Sequence, residues 1–475
     1  MRDLDMPFTT KLSAALGHPR RLVLIVLAVA VMMGAGTAAA ETLDRLSSAA
    51  VVDGPIPAGA VGDPSRAYPF GASVTDVAAY GYVEEEFFFS GHTPAGPYTS
   101  RMLVRRPADP AKFSGTVVTE WQNVSNNFDL DCLWARSADH LLRSGDAYVA
   151  VDAQTVGVDH PDTGLTAWNP QRYDRLRLPA VGTFVAEPAA YEIFGQALRQ
   201  VRSPDGVAPL GDLTVKQQLV TGCSQSAAAL TIYANTVGPL YGAVDGYLLT
   251  ALSTASIGPA TPSAALPQPV AGAAGVPVLQ LNTETDSAQF RPPDTDRYRL
   301  WEVAGTTHSD HDAQTYLEAV ARRDLGREPT PYPCAAPPLS RIPFRNVQNA
   351  ALDAVKSWAR GGPAPAVQPQ MDYAADGTVL RDRYGNAFGG IRLPEFAVPV
   401  ATNNRDNSGG DVCSTLFGRS VPFTSDELHA LYPTRQDYLT RFEQATTAAV
   451  DSGVLLPGDA RDSVDAARAS AAIPE

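Results

Sequence analysis

A serine stands at an abrupt junction in "LVTGCSQSAAALTIYAN", residues 219–235. An apolar segment typical of a buried strand leads into Gly222, and an alanine-rich segment typical of a helix begins just after Ser224. A serine in so tight a strand-to-helix turn can present its hydroxyl as a nucleophile, provided that the residues two before and two after it are small. Gly222 and Ser226 meet that requirement. The alternative is a serine that only caps the helix, because serine is a preferred N-cap residue.

A serine nucleophile requires a base that takes its proton and an acid that orients the base. Among the histidines, His308 is distinctive because it follows an apolar strand-like segment in "LWEVAGTTHSD". The preceding strand-like segment, in "VPVLQLNTETD", is followed at its end by Glu284 and Asp286. The order serine, acid, histidine is the chain order found in α/β-hydrolases. These residues therefore predict nucleophilic catalysis, with either carboxylate as the acid.

The surrounding elements alternate between strand and helix. Hydrophobic periodicity predicts strands at 80–91, 98–107, 115–123, 146–154, 217–222, 244–250, 276–282 and 298–305, and helices at 131–145, 188–203 and 225–236. A long loop rich in proline, aspartate and glycine is expected after the strand at 146–154. This alternation predicts a mostly parallel sheet with helices on both faces. The candidate residues should meet at the carboxyl edge of that sheet.

The pattern changes after about residue 330. A helix is predicted at 346–362, followed by a hairpin-like segment at 372–395 and two or three further helices, without strand–helix–strand units. We expect residues 41–361 to form the catalytic core and residues 362–475 to form a C-terminal extension packed on it.

Four segments resemble a bacterial family known as the alpha/beta hydrolase domain family: "TGCSQSAAALTIYAN", "VPVLQLNTETD", "RLWEVAGTTHSD" and "DRYGNAFGGIRLPEFAVPVA". Members carry a G-x-S-Q-[SG] motif at the nucleophile turn, and the resemblance extends from about residue 80 to 470. It implies an α/β-hydrolase fold, with Ser224 as nucleophile and His308 as base, and an ester substrate of unspecified identity. Aligned with the usual strand-then-G-x-x-D pattern, Asp286 takes the acid position and Glu284 is the alternative.

Ester hydrolysis passes through an oxyanion, which backbone N–H groups stabilise. One donor is expected from Gln225, the residue after the nucleophile, and the other from Asn123 or Val124 in the loop "EWQNVSNN". This chemistry requires no cofactor. An acyltransferase would use the same three residues, and a non-catalytic binding protein on the same scaffold is a further alternative.

The stretch "HSDHD", residues 308–312, could instead bind a metal ion, because it groups two histidines with two aspartates. Its spacing differs from the H-x-H-x-D-H pattern of metallo-β-lactamase-like enzymes. A helix that starts at Ser309 or Asp310 would explain the acids by their interaction with the helix dipole. We favour the helix and expect no metal.

Four cysteines, Cys132, Cys223, Cys334 and Cys413, are too widely spaced to indicate a zinc site. They allow two disulfides in any of three pairings, or four buried thiols. Cys223 adjoins Ser224, where it is either a small buried residue or half of a disulfide that stiffens the turn. We take Cys132 as its expected partner, with Cys334–Cys413 as the second pair.

The N-terminal stretch "HPRRLVLIVLAVAVMMGAGTAAAETLD" contains two arginines, a short apolar run and small residues that end at Ala40. This pattern predicts a cleaved signal peptide at residues 1–40, with an uncleaved membrane anchor as the alternative. The signal peptide is favoured because the apolar run is too short to span a bilayer unaided. A secreted or periplasmic protein without stable membrane association is expected. The formal charge of −14 argues against nucleic-acid partners. A small-molecule ester is the expected partner, and the oligomeric state is not indicated.

Overall fold

A nine-stranded sheet organises the computed structural model, which describes residues 50–179, 187–252, 275–287, 291–329 and 331–470. The strands are β1 (Val51–Asp53), β2 (Tyr82–Thr93), β3 (Gly96–Pro107), β4 (Thr116–Trp121), β5 (Ala147–Val151), β6 (Gln217–Cys223), β7 (Gly246–Thr250), β8 (Val278–Thr283) and β9 (Tyr298–Val303). Their spatial order is β1-β2-β3-β5-β4-β6-β7-β8-β9. The first three strands pair antiparallel, as do β3 and β5, and all pairs from β5 to β9 are parallel. The mostly parallel sheet predicted from the sequence is confirmed.

The α-helices flank this sheet and continue beyond it. They are α1 (Cys132–Ser144), α2 (Thr155–Asp159), α3 (Leu165–Trp168), α4 (Pro170–Tyr173), α5 (Pro188–Arg202), α6 (Gln225–Asn235), α7 (Gly238–Tyr241), α8 (His311–Leu325), α9 (Phe344–Ala359), α10 (Pro394–Ala397), α11 (Ser425–Leu431), α12 (Arg435–Asp451) and α13 (Pro457–Ala469). A two-stranded sheet, β10 (Ala401–Asn404) with β11 (Arg419–Pro422), lies in the C-terminal part. No helix among these combines the length and apolarity that a membrane crossing requires.

Both faces of the sheet are buried, and the side chains of single strands show this directly. In β6, Leu219 packs in one apolar cluster with helices α1 and α9, whereas Val220 packs in the other with α5 and α6. Successive residues of a strand point to opposite faces, so a strand that is apolar at every position must be covered twice. Leu219 and Val220 are therefore both apolar, although they are neighbours that point to opposite faces.

One segment differs from its expected form. Residues after β5 were predicted as a long loop, but the structure forms the short helices α2, α3 and α4 there. The Asn169 side chain caps α4 by accepting from the N–H groups of Gln171 and Arg172, and Pro170 occupies the first turn. Asparagine and proline are also the residues that start helices, so composition alone does not separate a loop from a single helical turn.

The C-terminal residues extend the sheet edge. Ile391 forms a parallel bridge with Val303 of β9, and its N–H donates to the Glu302 carbonyl at 2.7 Å. The single-turn helix α10 comes next, and α11 to α13 follow beyond the hairpin-like segment, where the sequence predicts two or three helices. From Ala50 onward the chain clusters as one compact unit. The boundary at residue 361 remains a prediction, and the predicted signal peptide, residues 1–40, lies outside the described residues.

A buried ion pair anchors the C-terminal part to the end of β8. The Arg381 guanidinium lies 2.8 Å from Glu284, whose side chain is fully buried. Removing the arginine leaves a buried carboxylate without its counter-ion, which costs about 3 kcal/mol or more. We therefore predict that Arg381→Ala lowers the free energy of unfolding, measured in urea, by about that amount.

Arg383→Ala is the matched control, because Arg383 is an exposed neighbour whose contacts are with Tyr384. It should change the free energy of unfolding by no more than about 0.5 kcal/mol. Equal effects of the two substitutions would contradict an anchoring role for Arg381.

Candidate active site

Ser224 occupies the single-residue turn between β6 and α6. Its backbone angles are φ 54° and ψ −121°, a conformation that residues other than glycine rarely adopt. The Ser224 N–H donates to the Thr250 carbonyl at 3.0 Å, which holds the turn against β7. The side chain makes no capping hydrogen bond to α6. Ser224 therefore does not act as a side-chain cap of α6, and its strained turn is compatible with the expected nucleophile.

The residues on either side explain why the chain can turn so sharply. A Cβ atom on Gly222 would lie 2.9 Å from Leu230 Cδ1 and 3.0 Å from the Ser226 carbonyl carbon, so only glycine fits. Ser226 Oγ accepts from the Cys223 N–H at 3.0 Å and donates to the Cys223 carbonyl at 2.9 Å. Ser226 therefore closes the turn, at the position where the usual motif has a second glycine.

Asp286 and His308 meet at the ends of β8 and β9. The Oδ1 atom of Asp286 lies 2.8 Å from Nδ1 of His308, and Asp286 is 2% exposed. The other carboxylate oxygen accepts from the Thr283 hydroxyl at 2.5 Å. The His308 N–H donates to the Thr285 hydroxyl at 2.8 Å. With Nδ1 occupied by Asp286, Nε2 is the ring nitrogen left to exchange a proton.

Glu284, the alternative acid, has other partners. Its Oε1 lies against Arg381 at 2.8 Å, and its Oε2 accepts from the Gly305 N–H at 2.8 Å. None of its contacts with described residues is to His308. Of the two carboxylates, Asp286 is the one that the structure places beside the histidine.

The predicted oxyanion donors are only partly compatible with the structure. The Asn123 N–H donates to the Leu130 carbonyl at 3.0 Å, so it is not available to a substrate. Asn123 acts instead through its side-chain amide, which donates to the Cys223 carbonyl at 2.9 Å and ties this loop to the serine turn. The N–H groups of Val124 and Gln225 donate to no group in the described part of the chain. These two remain candidate donors.

Ser224 and His308 line one cleft of about 100 Å³. Most of its other walls are apolar, and the polar ones include Ser125, Asn126 and Gln314. The C-terminal part supplies Leu416, whose carbonyl accepts from the Ser309 N–H at 3.1 Å. The extension therefore contributes to the cleft as well as to the fold.

All four cysteines are paired, Cys132 with Cys223 and Cys334 with Cys413. Of the three possible pairings, the structure has the one that we took from the sequence. Cys132 and Cys223 both line the cleft next to Ser224.

The acids of "HSDHD" belong to the start of a helix. Asp310 is the N-cap of α8 and accepts from the Ala313 N–H at 2.9 Å, and Asp312 lies in the first turn. This is the helix that we favoured over a metal site. No group of three or more histidine, cysteine, aspartate or glutamate residues within the described ranges is placed to hold a metal ion.

Two charged residues near the site were missed by the sequence analysis, Glu120 and Arg136. Glu120 is fully buried in β4 beneath the start of α1, where it accepts from the Tyr148 hydroxyl at 2.6 Å and the Leu133 N–H at 2.9 Å. Burial raises the pKa of Glu120 to about 8, although these hydrogen bonds lower it. A carboxylate inside the apolar run "VVTEW" was the available signal.

The sheet order and the strained serine turn after β6 define the fold of an α/β-hydrolase. The family model described as "Alpha/beta hydrolase domain" matches residues 52–465, and the chain belongs to that family. The resemblance stated from the sequence is confirmed. No curated protein matches the chain.

Two of the solved structures to which the chain is similar are named as esterases. A lipase/esterase from Lactobacillus plantarum is 14% identical, covering 45% of this chain and 80% of its own, with a TM-score of 0.29. The esterase Est22 is 12% identical, covering 60% of this chain and 82% of its own, with a TM-score of 0.33. At these values neither structure bears on the reaction.

The close approach at Gly222 yields a stability prediction. Gly222→Ala forces Leu230 or the α6 backbone to move, and such overpacking costs about 1–3 kcal/mol. Thermal unfolding should show a correspondingly lower midpoint. Gly458→Ala is the control, since a Cβ there meets no atom within 4 Å and alanine favours the helix. A lower midpoint for Gly458→Ala as large as that for Gly222→Ala would contradict this explanation.

The raised pKa of Glu120 predicts a pH dependence of stability. Between its unfolded pKa near 4.5 and its folded pKa of about 8, the folded state holds a proton that the unfolded state releases. The stabilisation from Glu120 is therefore complete below pH 4.5 and is lost as the pH rises towards 8. Glu120→Gln removes this titration, so its free energy of unfolding relative to wild type should rise by about 1.4 kcal/mol per pH unit in that window.

Urea unfolding of both proteins at pH 5, 6, 7 and 8 measures this difference. A difference that stays constant across the four pH values would show that Glu120 does not hold the proton.

Proposed function

We propose that this protein is an exported serine hydrolase that cleaves carboxylic esters through Ser224, His308 and Asp286. The observation that carries the proposal is the 2.8 Å contact between Asp286 and His308 at the cleft that Ser224 also lines. The strained backbone of Ser224 supports it, because such conformations cluster at active sites.

In the proposed reaction, Nε2 of His308 takes the Ser224 proton as Oγ attacks the ester carbonyl carbon. The C=O π electrons move to the carbonyl oxygen, and Asp286 stabilises the imidazolium that forms. When the tetrahedral intermediate collapses, the C–O bond to the alcohol breaks and His308 gives its proton to the leaving oxygen. His308 then deprotonates a water that attacks the acyl carbon. As this second intermediate collapses, the bond to Ser224 Oγ breaks, Oγ takes the proton back from His308, and the carboxylic acid leaves.

The oxyanion of each intermediate is proposed to accept from the N–H groups of Gln225 and Val124. Gln225 is the first residue of α6, so its N–H lies at the positive end of an 11-residue helix. The Gln225 side chain donates to Gln154 at 3.0 Å, which fixes the residue without using its N–H. Donors held in place before the reaction cost no reorganisation in the transition state.

A small-molecule ester suits the cleft as the substrate. Leu130, Leu317 and Leu416 give it apolar walls against which an acyl or alkyl group can pack. Export is proposed from the signal-peptide pattern, and two disulfides fit a compartment that is oxidising.

Labelling with a fluorophosphonate, which reacts with activated serines, tests the proposal. Wild type should label at one site, whereas Ser224→Ala and His308→Ala should not label. With p-nitrophenyl acetate as substrate, Ser224→Ala and His308→Ala should lower kcat by about 10⁴-fold or more, and Asp286→Asn by about 10⁴-fold.

Glu284→Gln is the matched control, since it removes a charge two residues from Asp286 without touching the histidine. Its rate per labelled site should stay within about tenfold of wild type, where the loss for Asp286→Asn is about 10⁴-fold. Single-site labelling that persists in Ser224→Ala, or a wild type that does not react, would refute the proposed nucleophile.

A further inference from the structure

Helix α1 contacts both the serine turn and the histidine loop, although neither adjoins it in sequence. At its first residue, the Cys132–Cys223 disulfide joins it to the residue before Ser224, with 6.2 Å between the two Cα atoms. One turn later, Arg136 Nη2 donates to the His308 carbonyl at 2.8 Å. The same guanidinium lies 2.8 Å from Asp310, with both side chains 5% exposed.

The start of α1 is itself held firmly against the sheet. Glu120 in β4 accepts from the Leu133 N–H at 2.9 Å, and Asp131, just before the helix, pairs with the buried Arg105 at 2.8 Å. The bridge between Asn123 and Leu130 ties the loop before α1 to the end of β4. Because the helix is fixed in this way, its contacts with Cys223 and with His308 stay at a constant distance from each other.

We propose that α1 is a brace that sets the separation between Ser224 and His308. The Cys132–Cys223 disulfide links the first residue of α1 to the serine turn, and Arg136, one turn later, links the helix to the histidine loop. This inference rests on the proposed function and adds Cys132, Cys223 and Arg136 to it as positioning residues. It explains why a cysteine adjoins the proposed nucleophile. The turn itself would accept any small residue there, but only a cysteine can form the disulfide to α1.

The two disulfides offer a matched comparison. They close loops of similar length, with sequence separations of 91 and 79 residues. Chain entropy therefore predicts nearly equal losses of stability when either is removed. We therefore expect similar shifts of the unfolding midpoint for Cys132→Ala/Cys223→Ala and Cys334→Ala/Cys413→Ala. Any difference in kcat between these two variants then reflects the positions of Ser224 and His308 rather than a difference in stability.

Turnover is measured well below both midpoints and divided by the fraction of sites that label with fluorophosphonate, so that unfolded protein does not count. Cys132→Ala/Cys223→Ala and Arg136→Ala should each lower kcat per site about tenfold or more, with KM within about threefold, because a displaced catalytic group slows the reaction more than it weakens binding. Cys334→Ala/Cys413→Ala should stay within about threefold of wild type.

Two further variants separate the brace from a general loss of packing. Arg143→Ala lies on the same helix with its side chain 54% exposed, and it should leave kcat unchanged. Arg136→Lys should recover only part of the rate, since lysine lacks the fork that reaches His308 and Asp310 together. Combining the Cys132/Cys223 and Arg136 substitutions should cost little more than either alone, because losing either contact already breaks the link between Ser224 and His308 through α1.

Hydrogen exchange followed by mass spectrometry tests the brace without relying on activity. Removing the Cys132–Cys223 disulfide should increase exchange in residues 304–310, and Arg136→Ala should increase it in residues 222–228. Exchange changes confined to the segment that lost its contact, or rate losses that multiply in the combined variant, would overturn the brace. Failure of wild type to label at Ser224 would instead refute the proposed function and leave the exchange result to decide on the brace.

Discussion

The turn of β6 into α6 within one residue is the constraint on which the site depends. Ser224 must adopt a φ of 54°, which costs about 1–3 kcal/mol in a residue with a Cβ atom. Contacts on both sides keep it there: the Ser224 N–H bonds to β7, and Ser226 bonds in both directions to Cys223. Because β6 lies near the centre of the sheet and is buried throughout, the strand cannot relax to relieve the turn.

The parallel sheet converts this local turn into a site. The strands β6, β7, β8 and β9 are neighbours in that order, so the residues that follow their carboxyl ends share one edge. Ser224, Asp286 and His308 follow three of these four strands. The contact between Asp286 and His308 is thus a consequence of parallel pairing between β8 and β9, which brings residues 22 apart in sequence within hydrogen-bonding distance.

Two carboxylates that lie two residues apart illustrate how environment divides their roles. Asp286 faces the histidine, while Glu284 pairs with Arg381 and binds the backbone of the loop that carries His308. The C-terminal part is therefore linked to the site through Glu284 and through Leu416 in the cleft wall. Arg381 and Leu416 thus bring the C-terminal part to the edge of the sheet that carries the site, although its sequence lacks the strand–helix pattern of the core.

The sequence alone determined the parallel sheet, the turn at Ser224 and the order of serine, acid and histidine, because periodicity and small turn residues act over a few neighbouring positions. Only the tertiary structure showed that Asp286, and not Glu284, lies beside His308, that the Asn123 N–H is already bonded, and that Glu120 and Arg136 lie near the site. These outcomes depend on which way a side chain or an N–H faces across contacts between distant segments. That orientation cannot be predicted from the neighbouring residues, because the contact partner that determines it lies tens to hundreds of residues away in sequence.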